Sequence, residues 1–211
     1  MKIKVCGMLN ERNISDLIQQ DIDYIGFIFY PKSERCITNS ISKEILSAIP
    51  SNVKKVGVFV NQTLEIICEK HETFQFDLIQ LHGDESVIFC ESLKQKVPAQ
   101  FIKAIQVTPD FDFNSIAPYL RTVDFFLFDT ASKNYGGTGI SFDWQLLKNY
   151  TFDLPFMLSG GINEKDSEKL KAFNHPQFQA IDLNSKFEIA PGIKDIAKIE
   201  RFITKLKSNE N

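Results

Sequence analysis

No stretch of this 211-residue chain is apolar for long enough to span a membrane, and its first residues carry no secretory signal pattern. A cytoplasmic protein is the expectation. Basic charge is not in excess: 24 Lys and Arg stand against 27 Asp and Glu, a net charge of −3. No basic patch interleaved with aromatics occurs, which argues against nucleic acid or a membrane surface as a partner. The four cysteines, Cys6, Cys36, Cys68 and Cys90, show no CxxC spacing and read as free thiols of a reducing compartment. The three histidines, His71, His82 and His175, are dispersed, so no metal site is expected. No linker or low-complexity segment divides the chain. One domain over residues 1–207 is expected, with 208–211 a disordered tail. What the chain does have is 43% hydrophobic residues, 19 of them Phe, enough for one well-cored domain packed with rings.

The chain is organised around Lys2-Ile3-Lys4-Val5-Cys6-Gly7. Period-two alternation marks a strand with two different faces, Ile3 and Val5 on one and Lys4 and Cys6 on the other. It carries a thiol at its carboxyl end, with a cation two residues behind and a glycine turn ahead. A helix over Asn10–Ile18 follows, with Asn10 as its cap. The same alternation then recurs. Strands are read at 24–30, 53–60, 77–82, 100–107, 124–129, 154–159 and 179–183. Helices are read near 42–49, 64–71, 85–94, 114–120, 142–150, 165–173 and within 193–207. Eight strand–helix units imply parallel pairing with right-handed crossovers, and point to an α/β protein of the (β/α)8 TIM-barrel class. An open doubly wound sheet is the alternative, better suited to five or six units.

In such a barrel the carboxyl ends of the strands meet on one face, where active sites lie. This chain brings there Cys6-Gly7, Tyr30-Pro31 with Arg35 just beyond, His82-Gly83, Asp129-Thr130, Ser159-Gly160-Gly161, and Asp182 with Asn184-Ser185. Parity turns Gln80 with His82, Asp129 with Phe125 and Leu127, and Asp182 with Ala180 toward the lumen. Singly, each has a plain reading: a strand-end hydrogen bond, a cap, a tight turn, a packed thiol. Their joint occurrence at the strand ends argues for a site. Gly160 and Gly161 after the seventh strand, with Asn184 and Ser185 after the eighth, stand where barrels of this kind bind phosphate. The loop Asn134-Tyr135-Gly136-Gly137-Thr138-Gly139 is long and glycine-rich enough to act as a cover.

Several of these segments together resemble the phosphoribosylanthranilate isomerases. They are Lys4-Val5-Cys6-Gly7, Gly26-Phe27-Ile28-Phe29 with Pro31, Ser33 and Arg35, and Gln80-Leu81-His82-Gly83. Phe128-Asp129-Thr130, Gly136-Gly137-Thr138-Gly139, Ser159-Gly160-Gly161, and Asp182 to Glu188 with Pro191-Gly192 complete the set. The resemblance runs in order from Ile3 to about Lys194. It implies a cofactor-free barrel of tryptophan biosynthesis, acting third from chorismate on a small phosphosugar as a monomer or homodimer. The implied reaction is the Amadori rearrangement of N-(5-phosphoribosyl)anthranilate. By resemblance Cys6 is the general base, Asp129 the general acid and Arg35 the contact for the anthranilate carboxylate. His82 and Asp182 are assigned to substrate binding, and Gly160, Gly161, Asn184 and Ser185 to phosphate. The sequence departs from the family at Asn184-Ser185-Lys186-Phe187, where Ser-Ser-Gly-Val is usual, and at Ile140, often a lysine.

This chemistry explains the residue types. Ring opening needs a protonated acid, so Asp129 beside Phe125 and Leu127 is expected to have a raised pKa. Proton removal from C2 needs a base, and Lys4 is the cation that would favour a Cys6 thiolate. Opposed ionisation requirements imply a bell-shaped kcat/KM profile. Two competing readings remain at this stage. One is a metal-dependent pentose-phosphate epimerase, and the other a phosphosugar-binding module without turnover.

Overall fold

Eight strands pair in parallel, in chain order, and close on themselves in a computed structural model that describes residues 1–37, 41–130 and 143–208. They are β1 (Lys2–Cys6), β2 (Tyr24–Ile28), β3 (Lys54–Phe59) and β4 (Leu78–Leu81), then β5 (Gln100–Val107), β6 (Phe125–Thr130), β7 (Phe156–Leu158) and β8 (Phe178–Leu183). The seam is β1 against β8, with Lys4 opposite Asp182, while Cys6 lies opposite Gly26 of β2. The expected (β/α)8 barrel is therefore the observed architecture. The glycine-rich segment Asn134–Gly139, Ile140, the start of the helix read at 142–150 and residues 209–211 of the tail lie outside the described residues.

Alternation along the strands sorts side chains into two cores, as the period of two requires. Tyr24, Val56, Val58, Leu78, Ile102, Ala104, Phe125, Leu127, Met157 and Ala180 fill the lumen with Cys6. Ile3, Val5, Phe27, Ile79, Phe101, Phe126, Phe156 and Ile181 face outward into a larger cluster with the helices. The abundant Phe residues do much of that outer packing. Phe29 stacks on Phe59 at 5.2 Å and meets Phe74 edge-on at 5.1 Å, while Phe128 meets Tyr150 and Phe156 at 5.2 Å each.

Among the described residues six α-helices cover the strands: α1 (Glu11–Leu17), α2 (Lys43–Ala48), α3 (Leu64–Phe74), α4 (Val87–Lys94), α5 (Ser167–Ala172) and α6 (Ile196–Lys207). Asn10, Ser42, Thr63 and Ser86 each accept the N–H three residues on, which satisfies one orphan donor of the first turn. Two helices expected after β5 and β6 are instead 3-10 turns, Phe113–Arg121 and Trp144–Asn149. Pro118 inside the first has no N–H for an α-helical ladder and fixes its own φ, and the segment winds as the tighter 3-10 turn. A two-stranded antiparallel hairpin, β9 (Glu188–Ala190) with β10 (Ile193–Lys194), follows β8 and was not expected. Strands of three and two residues around Pro191-Gly192 carry too little periodicity to stand out from a loop.

Candidate active site

At the carboxyl end of the barrel a mouth of about 700 Å³ opens to solvent. Cys6, His82, Asp129 and Asp182 line it from four different strands or strand ends, and Gly160, Gly161, Asn184 and Ser185 form its rim. Eight of the nine residues singled out in the sequence thus meet in one cavity. Ile28, Val58 and Val60 give it one apolar wall, beside Tyr30.

Cys6 ends β1 on the lumen side and is 3% exposed. It fits because its neighbour in β2 is glycine: a Cβ on Gly26 would sit 2.7 Å from the Cys6 sulfur. Burial pushes the thiol up, against the pull of Lys4 and Lys194, while Asp182 adds to the rise. The sequence places Lys4 as the cation for this thiol. In the fold, Lys4 Nζ donates to Asp182 Oδ2 at 2.8 Å, with both side chains buried, so much of its charge is already met. Burial pulls the Lys4 ammonium down, but Asp182 and Cys6 outweigh it and hold Lys4 above its ordinary range. Burial likewise pushes the Asp182 carboxyl up, Lys4 opposing and Asp129 adding to the rise. Asp182 Oδ1 is buried with no hydrogen-bond partner among the described residues.

Asp129 closes β6 on the lumen side. Its Oδ1 accepts the Thr130 N–H at 2.8 Å, and its Oδ2 lies 3.4 Å from His82 Nε2. Its surroundings are therefore more polar than Phe125 and Leu127 alone suggest. The other ring nitrogen of His82 is 2.7 Å from the Gln80 side-chain nitrogen. Gln80 shares the parity of His82 and is part of the cavity wall.

Gly160 has φ +85°, a conformation costly for side chains, and a Cβ there would collide with Thr130 Oγ1 and lie 2.7 Å from Asp129 Oδ1. The loop after β7 is thus packed against the candidate acid. Gly160→Ala is expected to lower stability by about 1–3 kcal/mol through backbone strain. A thermal melt of the variant indistinguishable from the parent would show that this close approach is not needed.

Arg35 stands apart from the other eight. It does not line the cavity; its guanidinium is held in a two-pronged pair by Glu188, with Nε 2.9 and 3.0 Å and Nη2 2.6 Å from the carboxylate oxygens. Glu188 also accepts Lys194 Nζ at 2.6 Å. Burial raises the Glu188 carboxyl, but Arg35 and Lys194 prevail and hold it below the usual carboxylate range. Neither Glu188 nor Lys194 was singled out as a charge partner from sequence; the pattern gave no sign that a hairpin would bring them to the mouth. Among the described residues no group of three or more His, Cys, Asp or Glu is arranged to hold a metal ion, and no helix is long and apolar enough to cross a membrane.

Comparison with known proteins agrees with this geometry. The family profile for N-(5'-phosphoribosyl)anthranilate (PRA) isomerase matches residues 3–205. An N-(5'-phosphoribosyl)anthranilate isomerase of Parabacteroides distasonis is 46% identical over 210 residues, covering 98% of this chain and 93% of its own. The crystal structure of the isomerase from Thermotoga maritima superposes with a TM-score of 0.86 at 33% identity, covering 98% of both chains. A phosphoribosylanthranilate isomerase solved in complex with reduced 1-(o-carboxyphenylamino)-1-deoxyribulose 5-phosphate superposes at 0.80 and 31% identity, again over 98% of each. With the barrel, the mouth and the near full-length match in agreement, the chain belongs to the N-(5'-phosphoribosyl)anthranilate isomerase family.

Proposed function

We propose that this chain catalyses the Amadori rearrangement of N-(5-phosphoribosyl)anthranilate to 1-(2-carboxyphenylamino)-1-deoxyribulose 5-phosphate in tryptophan biosynthesis, with Cys6 as general base and Asp129 as general acid. The observation that carries the reading is that a thiol on β1 and a carboxyl on β6 line one cavity whose rim is made by the loops after β7 and β8. Asp129 gives its proton to the ring oxygen of the aminoribose. The C1–O bond breaks, and the nitrogen lone pair forms a protonated Schiff base at C1. That cation acidifies the proton on C2 and, lying next to the thiol, favours the thiolate that removes it. The resulting enolamine becomes the ketone as its C2 hydroxyl loses a proton and C1 gains one. Atoms and electrons balance as an isomerisation.

Binding divides among the remaining residues. The positive-φ turn at Gly160 and Gly161 lets backbone approach a phosphate, with Asn184 and Ser185 facing it. The unpartnered Asp182 Oδ1 suits a sugar hydroxyl, so Asp182 orients substrate. Ile28, Val58 and Val60 suit the flat anthranilate ring. Arg35 takes the anthranilate carboxylate with the guanidinium donors that Glu188 leaves, and Arg35→Ala is expected to raise KM on the order of 10–100-fold, the loss of one charged hydrogen bond, with a smaller fall in kcat. A fall in kcat larger than the rise in KM would move Arg35 into the chemistry. The reading as a whole is tested by following the fluorescence of freshly made phosphoribosylanthranilate. Its consumption is expected; binding of a product analogue without consumption would leave only a binding module.

A further inference from the structure

Lys194 is 1% exposed, yet its side chain ends in an ammonium. A buried lysine is expensive unless its charge is used, and a methionine would fill the same space. The backbone around it is fixed by both ends of one amide: Asn13 Nδ2 donates to Lys194 O at 2.9 Å, and Lys194 N donates to Asn13 Oδ1 at 2.7 Å. So anchored, Lys194 Nζ donates to Asn184 Oδ1 at 2.7 Å and Glu188 Oε1 at 2.6 Å. Glu188 in turn grips Arg35. The two ends of this chain of contacts converge on the residue after the thiol. A Cβ on Gly7 would lie 2.9 Å from Arg35 Cδ and 3.0 Å from Asn184 Oδ1. Lys194 and Glu188 thus hold a phosphate-loop side chain and a substrate-binding guanidinium against the turn that carries Cys6.

We propose that Lys194 and Glu188 are positioning residues for this reaction: Lys194 is the cation anchored behind the Cys6 turn, and with Glu188 it keeps Arg35 and Asn184 seated on Gly7. This rests on the assignment of Cys6 as the base. The charged groups acting on the thiol are Lys4 on β1, Asp182 on β8, Lys194 on β10 and Arg35 after β2, with Glu188 on β9 bonded to the last two and His82 and Asp129 also lining the mouth. Lys4 is tied to Asp182, which opposes ionisation of the thiol. Lys194 acts in the opposite sense to Asp182, and its own ammonium is lowered by burial, with Glu188 and Cys6 holding it up.

The test is the pH dependence of Cys6 alkylation by iodoacetamide in the full chain, read by mass spectrometry of the Cys6 peptide. Lys194→Met is expected to raise the midpoint by about one pH unit or more, the usual effect of removing a nearby cation. Lys194→Arg is expected to restore it to near the parent value, and Glu188→Gln to raise KM more than it lowers kcat, as Arg35 loses its partner. Mere loosening of the fold would hydrate the thiol and lower the midpoint, so the direction of the Lys194→Met shift separates charge from damage. A midpoint that stays or falls in Lys194→Met, or a KM of Glu188→Gln equal to that of the parent, overturns the proposal. The acidic limb of kcat/KM is measured alongside. If alkylation midpoints move as expected and that limb does not, the charge coupling stands and the assignment of Cys6 as the base fails.

Discussion

Cys6→Ala is expected to lower kcat by about 10²–10⁴-fold, the usual contribution of a general base, while substrate binding and fold persist. The fold persists because the substitution removes only a sulfur atom and eases the tight approach of Gly26. Lys4 keeps its Asp182 partner, so no buried charge is stranded. The parent should also show an acidic limb in kcat/KM that lies above the ordinary thiol range, since burial raises the Cys6 thiol and it must lose its proton to act. The residual activity of the variant should lack that limb. Steady-state kinetics and product-analogue binding decide the matter, and turnover near that of the parent removes Cys6 from the mechanism. Serine at Cys36, Cys68 or Cys90 is expected to spare kcat. Cys90 is buried on α4 with its thiol pushed up to about 11 by desolvation, so it behaves as packing rather than as a nucleophile.

Asp129→Asn and Asp182→Asn are expected to fail in different ways. Among the described residues Asp129 has no buried lysine or arginine as partner, and its side chain is 15% exposed, so the amide should fold normally and lose about 10²–10⁴-fold in kcat with the proton donor gone. Asp182→Asn takes the anion from a lysine that is wholly buried. Uncompensated burial of such a charge costs about 3–5 kcal/mol, which should appear as a fall of several degrees or more in Tm. Melting curves and turnover of the two variants, measured side by side with analogue binding, separate the roles. Should Asp129→Asn keep nearly full kcat while a stably folded Asp182→Asn is inert, the acid belongs on β8.

The barrel was legible because its strands announce themselves by period. Lys4 and Cys6 share the lumen face, as do Gln80 and His82, because alternation is local and every strand obeys it. The turn around Pro118 was legible only as a weak helix, since proline changes the hydrogen-bond ladder without changing the spacing of apolar residues. Charges were the least legible. Arg35 and Glu188 are 153 positions apart, Lys4 and Asp182 178, and Lys194 and Asn13 181. Nothing in the sequence around any of these residues names its partner. The sequence therefore led to a cation for the thiol in Lys4, two residues away, and passed over Lys194, which a hairpin of five strand residues brings close.

The seam between β1 and β8 also bears on the order in which the molecule is made. Lys4 leaves the ribosome 178 residues ahead of its counter-ion Asp182, which belongs to the last strand of the barrel. Until β8 arrives, burying Lys4 strands a charge, so a nascent chain of seven strands has a reason to keep its first strand in water. The thiol two residues on stays outside with it. Closure then neutralises the lysine, assembles the mouth and completes the sheet in one long-range event, which makes arrival of the eighth strand a precondition for any chemistry at Cys6.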